Sequence, residues 1–547
     1  MQPSMRKSYD YIVIGSGSAG CVIAARLAED RRLSVLLLEA GPSDRHIYIR
    51  MPAALGYPLM NDRFNWYYNS EPDPNINGRT ILEARGRVLG GSSSINGMNW
   101  VRGNPWDYDN WSGLGLKTWS YAHCLPYFKK AETFDKGANA YRGGAGPMRI
   151  ETSKAQGPLY EAYLKSGVES GLKYVDDHNA FQQEGVHITQ RNIHDGIRWS
   201  TSQAYVHAQP PKPNLTILTG ARVTAIETSN KRAVRVNVVL KGMQRSFEVD
   251  RETILCGGAL NSPQLLQLSG IGHGDDLRAA GIAVVNHLPG VGYGLKDHVA
   301  APVMYRAARN VSAAKDLTRF GKARIGLQWS LFKNGYGATN FFEVGTFMRS
   351  RESEKIPNIQ FEFVPMLGEI QHGDVKIENG FQFYFSLMRP ASEGRVWVGS
   401  ADPLAPPKFL FNYLQQPDDM VQAVQAVKAI RNVVRQKAWD ELRGEEVTPG
   451  PAFAGDDEIE AWLRGAAGTN YHPCCSCRMG FDDKAVVDDE GRVHGMEGLR
   501  VVDASIMPRI VSGNLNAPVI MMAEKIADSI LSVSPPAPDP QPYYQPG

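Results

Sequence analysis

Residues 9–41 run YDYIVIGSGSAGCVIAARLAEDRRLSVLLLEAG, and this stretch decides the fold. The apolar run Tyr11 to Ile14 has the unbroken character of a buried strand. It ends in Gly15-Ser16-Gly17-Ser18-Ala19-Gly20, a GxGxxG pattern. Cys21 to Leu27 follows with helical character, and a second apolar run, Ser34 to Leu38, ends in Glu39. Strand, glycine turn, helix, strand and acid come in the order that binds a dinucleotide. Gly15 permits the turn, Gly17 lets a pyrophosphate reach the backbone, and Gly20 lets the helix pack on the strand. Glu39 stands 19 residues beyond Gly20, where a carboxylate accepts both ribose hydroxyls. Its charge repels a ribose 2′-phosphate. NADP is therefore disfavoured, and NAD and FAD stay open.

The 547 residues suit two or three domains rather than one. With 43% hydrophobic and 21% charged residues, the composition is that of a soluble globular protein. A net charge of +2 leaves no electrostatic footprint for nucleic acid. No apolar stretch approaches the roughly 20 residues of a membrane span. MQPSMRKSYDYIV lacks the apolar core of a signal peptide, so a cytoplasmic location is expected. Six cysteines are too sparse for a disulfide framework. Cys474, Cys475 and Cys477 are crowded together with no second thiol pair, so no metal site is expected.

Further along, RGRVLGGSSSING (85–97) is either a plain surface loop or a second anion-cradling segment, because small residues let backbone amides converge. Residues 155–172 look helical, and 214–256 alternate as a β-meander should. Glu252 to Cys256 then enters Gly257-Gly258-Ala259, with a helix expected over 263–268 and Pro263 in its first turn. Residues 303–464 mix strands and loops with a helix near 417–436, which suggests a separate antiparallel, substrate-covering domain. LRVVDAS is a strand ending at Asp503, and NAPVIMMAEKIADSILS is an amphipathic helix. The closing PPAPDPQPYYQPG should be extended or disordered. There are no internal repeats.

GTNYHPCCSCRMG carries His472 in a loop of small residues, stiffened by Pro473. Asn514 and Asn516 lie some forty residues later, before a helix. Asn516 fits an N-cap, since Pro518 falls just inside that helix. No GxSxG, HExxH or Walker sequence supports hydrolase, zinc protease or NTPase chemistry.

Taken together, GSGSAG, RGRVLGGSSSING, GGALNSPQLLQLSGIG, PGVG…DH, YHP…CRMG and the Asn-bearing C-terminal segment resemble the glucose–methanol–choline family of flavoprotein oxidoreductases. The six motifs occur in the family's order over residues 9 to about 532. MPAALGYPL, FNWYYNSEPDPNINGR, CLPYFKKAET and GRVHGMEGLRVVDASIMP resemble bacterial choline dehydrogenases in particular. The resemblance implies an α/β fold with a discontinuous Rossmann-like FAD-binding domain over 1–155, 200–302 and 465–534. An α+β substrate domain with an antiparallel sheet would fill 156–199 and 303–464, leaving 535–547 as the Pro-rich tail.

It further implies FAD as cofactor. Gly15, Gly17, Ser18, Ala19, Gly20, Glu39 and Ala40 would hold the pyrophosphate and adenosine ribose. Arg87, Gly91, Ser92, Asn96, Gly97 and Met98 would follow the diphosphate and isoalloxazine, and Val223 would meet the adenine. Asp503, Ala504, Asn514, Asn516, Ala517 and Pro518 would close over the ribityl and pyrimidine side. Some relatives attach the flavin through a His in the second glycine segment. GGSSSING has none, so non-covalent FAD is expected.

By the same resemblance His472 is the base that takes the alcohol proton, as suits an unperturbed pKa of about 6.5. Asn514 would donate to the alkoxide oxygen. Choline-type enzymes hold a permanent cation with aromatic faces and a carboxylate. Glu343 matches that carboxylate, Trp66 and Tyr471 match aromatic positions, and Phe361 or Phe363 would add a wall.

The chain departs from the choline pattern at Tyr293-Gly294, at YHPCCSC for YHPCGTC, and over 303–325, which affects the flavin-side loop and substrate access. The expected reaction is choline to betaine aldehyde with oxygen or another acceptor. The alternatives are an aliphatic or aryl alcohol oxidase, and a flavoprotein with a non-redox or photochemical role. Oligomeric state is not readable from the sequence, and related dehydrogenases can associate peripherally with membranes.

Overall fold

A computed structural model of the chain describes residues 6–371 and 374–545. The opening unit is a strand Ser8–Ile14, a helix Ser18–Leu27 and a strand Val35–Glu39. Both strands are buried in the parallel sheet, which explains their unbroken apolar runs. The parallel order is Leu215–Thr219, Val35–Glu39, Ser8–Ile14, Met243–Leu255 and Leu499–Val501. Met243–Leu255 does two jobs. Its first half pairs antiparallel with Arg232–Leu240, which pairs in turn with Ala221–Ser229. Its second half runs parallel beside Ser8–Ile14. Segments more than 480 residues apart in sequence thus share one sheet, a long-range closure that brings the C-terminal strand beside the first glycine turn.

The C-terminal helix Asn516–Ile530 packs on Ser18–Leu27. Arg26 joins them, bonding Glu524 and lying 2.9 Å from Asp528 Oδ1. These carboxylates are buried, and Tyr205 Oη donates to Glu524 at 2.9 Å, so the pair is held by hydrogen bonds as well as charge.

The second sheet is antiparallel throughout. Its order is Arg443–Thr448, Val299–Ala307, Gly380–Leu387, Ile359–Val364, Val344–Met348 and Gly185–Ile188. Phe361, Phe363, Phe381, Phe383 and Phe385 all point to one face, where Trp439 and the helices Pro158–Glu169 and Pro417–Arg435 cover them. The opposite face of the same strands looks toward the parallel sheet's glycine turns and bears the site.

Two local expectations change. The helix expected over 263–268 begins at Gly258, so Pro263 lies in its interior. Proline has no N–H for the Ala259 carbonyl one turn back, and Ser476 Oγ donates to that carbonyl at 2.6 Å instead. The Pro-rich tail, described to residue 545, runs extended along the surface and is tied down. Tyr543 Oη donates to Asp109 Oδ2 at 2.6 Å, and Tyr544 N donates to Phe181 O at 2.7 Å. Residues 546–547 of that tail, and 1–5 of the N-terminus, lie outside the described residues.

Candidate active site

A cavity of about 1220 Å³ runs from the first glycine turn to His472. That exceeds the roughly 300–1,000 Å³ of an ordinary small-molecule pocket and leaves room for a dinucleotide with a second, smaller molecule. Gly15 turns the chain with φ +92°, and a Cβ there would lie 2.5 Å from the Cys256 carbonyl oxygen. A Cβ on Gly91 would stand 2.6 Å from Gly17 Cα, so the two glycine segments meet only because Gly91 carries no side chain. Around Gly17 itself there is open space, which exposes its backbone to the cavity.

Glu39 is fixed at the end of its strand. Oε2 accepts from Ser16 N at 3.0 Å and from Ser16 Oγ at 2.6 Å, and Oε1 accepts from Gly41 N at 2.8 Å. Burial pushes its pKa up, and these hydrogen bonds pull back toward the charged form. Glu39 and Ala40 line the cavity beside Gly15, Gly17, Ser18 and Ala19. Gly91, Ser92, Asn96, Gly97 and Met98 line it from the second glycine segment, and Val223, Asp503, Ala504, Asn514 and Asn516 complete the far walls. Asp503 accepts from Gly258 N at 2.8 Å, Ser262 Oγ at 2.6 Å and Ser505 N at 2.8 Å, and so holds the third glycine turn in place.

Other members of the predicted cofactor set are placed differently. Gly20 packs against the Gly15 carbonyl inside the fold, and Ala517 and Pro518 are buried in their helix without reaching the cavity. Arg87 turns outward. It donates to the Asp62 carbonyl at 2.7 Å and lies 5.5 Å from the Trp66 ring centroid. Arg85 takes the cavity wall instead, donating to the Tyr471 carbonyl at 2.5 Å. The two arginines take different partners, Arg85 the Tyr471 carbonyl and Arg87 the Asp62 carbonyl, and the sequence does not say which lines the cavity. Asn516 is no cap, since Leu515 holds that position without a side-chain bond. The Asn516 Oδ1 accepts from Ser18 Oγ at 2.7 Å, and its buried Nδ2 has no partner among the described residues. A free buried donor beside the glycine turn fits an acceptor-rich cofactor.

The reacting end is a chain of hydrogen bonds that fixes proton positions. His298 Nε2 lies 3.1 Å from the Met388 carbonyl oxygen and 3.0 Å from that of Val511. Carbonyls only accept, so Nε2 carries the hydrogen. With His298 neutral, its Nδ1 is an acceptor, and His472 Nδ1 stands 2.9 Å away and donates to it. His472 Nε2 therefore keeps its lone pair, 3.3 Å from Asn514 Nδ2 and facing the cavity. Burial, then His298 and Arg85, pushes His472 well below the usual imidazole range, and burial pushes His298 down to about 4. Both rings are neutral at pH 7. Asp297 Oδ1 accepts from His472 N at 2.8 Å and pins the loop from behind. The aspartate and His298 belong to the Asp-His pair that closes PGVGYGLKDH. Nothing adjacent in sequence marks His298, whose partners are two distant carbonyls.

The substrate wall needs correction. Glu343 does not line the cavity. Its Oε1 lies 3.0 Å from Arg191 Nη1, and its Oε2 accepts from Ala155 N at 2.7 Å. It is a buried structural ion pair. Phe361 and Phe363 are 0% exposed on the helix-covered face of the sheet, so they form core and not wall. Strand alternation sends Glu362 and Val364 to the cavity in their place. Glu362 accepts from Asn99 Nδ2 at 2.8 Å and from Asn514 Nδ2 and Asn470 Nδ2 at 3.3 Å each. It has no cationic partner among the described residues, and burial raises its pKa. Tyr384 stands opposite it on the neighbouring strand, and Phe342 lines the same cavity. Trp66 lines the cavity, yet its ring is already stacked on Tyr68 at 5.6 Å and approached by the Arg222 guanidinium at 5.3 Å. Tyr471 is on the wall next to His472, 39% exposed.

Cys474 and Cys475 Sγ atoms lie 3.4 Å apart and both are buried. Among the described residues, no group of three or more His, Cys, Asp or Glu is placed to hold a metal ion. No described helix is long and apolar enough to cross a membrane.

A discontinuous dinucleotide sheet, three glycine turns on one cavity and a neutral histidine at its far end define a flavin-type oxidoreductase site. The chain belongs to the GMC oxidoreductase family, whose N-terminal and C-terminal models match residues 9–300 and 390–523. It is 48% identical to an oxygen-dependent choline dehydrogenase of Paraburkholderia phymatum, over 98% of this chain and 95% of the relative. A protein of the same description from Burkholderia ambifaria is 47% identical over 98% and 96%. Among solved structures, a pyridoxine 4-oxidase from Mesorbium loti superposes with TM-score 0.87 at 30% identity, covering 96% of this chain and 99% of that one. A mutated formate oxidase of Aspergillus oryzae, solved to follow FAD modification, gives 0.91 at 26%, with 97% and 99% covered. The protein is an FAD-dependent enzyme oxidising an alcohol.

Proposed function

We propose that the chain oxidises choline to betaine aldehyde with non-covalently held FAD. The observation that carries this reading is the proton-fixed pair His298–His472, ending in an Nε2 lone pair that faces the cavity and meets Asn514 Nδ2, beside Glu362, a carboxylate with no cationic partner among the described residues. His472 Nε2 accepts the hydroxyl proton. Asn514 Nδ2 donates to the oxygen as it becomes negative. Glu362, backed by Phe342 and Tyr384, faces the trimethylammonium group, whose charge would be costly to desolvate beside apolar walls alone. FAD, when bound, supplies the acceptor for the hydride that leaves the alcohol carbon. Gly15, Gly17, Glu39, Asn96 and Asn516 would hold it, with Asn516 Nδ2 offering the free donor.

The choline dehydrogenases among the relatives support choline, and so does a carboxylate left without a protein cation among the described residues. The test is anaerobic bleaching of the bound flavin by a panel of choline, aliphatic and aryl alcohols. Choline should reduce it fastest, and faster reduction by an uncharged alcohol would reassign the substrate. Acid precipitation should leave the yellow colour in solution, and colour in the pellet would mean a covalent bond. An oxygen electrode beside an artificial acceptor separates oxidase from dehydrogenase turnover.

A further inference from the structure

Behind the second glycine segment lies a guanidinium without a counter-charge. Arg198 is 2% exposed. Its Nε donates to the Ile49 carbonyl at 2.9 Å, and Nη1 donates to Asn96 O at 2.6 Å and Asn96 Oδ1 at 2.9 Å. Its Nη2 has no acceptor, and no carboxylate pairs with it, among the described residues. Burial alone pushes its pKa down to about 9. A buried cation held only by neutral oxygens is costly, and an anion nearby removes that cost.

Arg198 also lines a second pocket, of about 270 Å³, with Asp44, Arg45, Arg50 and His207. Asp44 is already engaged. Its Oδ2 accepts from Ser202 Oγ at 2.6 Å, and its Oδ1 lies 2.9 Å from His207 Nε2. Arg45 and Arg50 are exposed, and neither is paired with a carboxylate among the described residues. Three guanidiniums therefore line a space whose one carboxylate is already bonded to Ser202 and His207. At about 30 Å³ of liquid volume per water, the pocket suits a small anion with a few waters and is too small for a nucleotide.

We propose that this pocket binds a small oxyanion of the size and charge of inorganic phosphate, between Arg45, Arg50 and Arg198. The planar forks of Arg45 and Arg50 match two oxygens of such an anion, a match chloride does not offer, and Arg198, its Nε and Nη1 already bonded to Ile49 and Asn96, contributes its charge. Arg198 grips Asn96 by its backbone and side-chain oxygens, and Asn96 is on the wall of the main cavity. The anion would brace the second glycine segment from behind, as a stabiliser of the cofactor-bearing loop and not as a substrate.

The experiment is thermal unfolding of the FAD-loaded enzyme, followed by flavin fluorescence, with phosphate replacing chloride at constant ionic strength. The midpoint should rise saturably by at least about 2 °C. Arg50→Gln should lose the rise while keeping its turnover in chloride, since Arg50 touches neither the main cavity nor Asn96. Arg45→Gln serves as the second variant. Equal midpoints in phosphate and chloride, or an undiminished rise in both variants, would overturn the proposal.

Discussion

The two ends of the cavity are built by different means. The cofactor end is made of backbone: glycine turns that end parallel strands, closed by helix starts. The substrate end is made of side chains from one face of an antiparallel sheet. Where such turns pack on one another, as at Gly15 and Gly91, they leave no room for a Cβ, and they announce themselves as glycine patterns. A sheet face is chosen by a one-residue alternation, and a neighbour such as Phe361 or Phe363 looks equally suitable until the pleat is known. The cofactor end should therefore break under the smallest substitution, and the substrate end should respond in selectivity.

Gly15→Ala tests the first half most severely. The added Cβ would meet the Cys256 carbonyl oxygen at 2.5 Å, in a φ region that L-residues avoid. Purified protein should carry little or no FAD by absorbance, with activity lost in proportion. Full flavin content would show that the turn yields, and that backbone fit is not what holds the cofactor.

His472→Ala moves to the reacting end. Removing the base should slow flavin reduction by about 100- to 10,000-fold at unchanged FAD content. A rate within tenfold of wild type in stopped-flow measurement would take the proton transfer away from His472. Asn514→Ala should be milder, since it removes a donor and leaves the lone pair at Nε2.

Legibility followed the same division. GSGSAG with Glu39 fixed strand, turn, helix and acid, because each demand falls on residues adjacent in sequence. His472 is legible as a candidate because its loop is compact and its neighbours are small. His298 is not, because its role depends on the carbonyls of Met388 and Val511, which only the fold brings to it. Glu343 and Glu362 are both strand-associated acids in Phe-rich segments. Only the tertiary position of Arg191 makes one a core ion pair and leaves the other in the cavity without a cationic partner among the described residues. Arg85 and Arg87 differ in the same way.

Exchanging the two acids sharpens the contrast. Glu362→Gln should raise the apparent Kd for choline about tenfold or more and leave an uncharged alcohol nearly unchanged, because only a cation feels the lost charge. Glu343→Gln should keep that selectivity and lower the stability by about 2 kcal/mol, since Arg191 loses one of its two carboxylate partners and keeps Glu151 at 2.9 Å. Denaturant unfolding and a choline-to-neutral-alcohol ratio read both effects. If Glu343→Gln changed the ratio and Glu362→Gln did not, the assignment of the two carboxylates would be reversed.

The smallest expected effect concerns pH. A depressed pKa keeps His472 neutral as pH falls below 6.5, so kcat/KM should stay level there and drop only once His472 takes a proton. His298 is the positioning residue for that base, since its Nδ1 holds the His472 hydrogen on the side away from the cavity. His298→Ala frees the ring to exchange tautomers and removes one cause of the depression. Flavin reduction should fall about tenfold at pH 7, with the acid limb moving up toward 6.5. His298→Gln should recover part of the loss, because an amide can donate to the two carbonyls and still accept from His472 Nδ1. A merely structural histidine would lower the amount of folded enzyme without moving the limb. The pH profile, normalised to flavin content, separates the two.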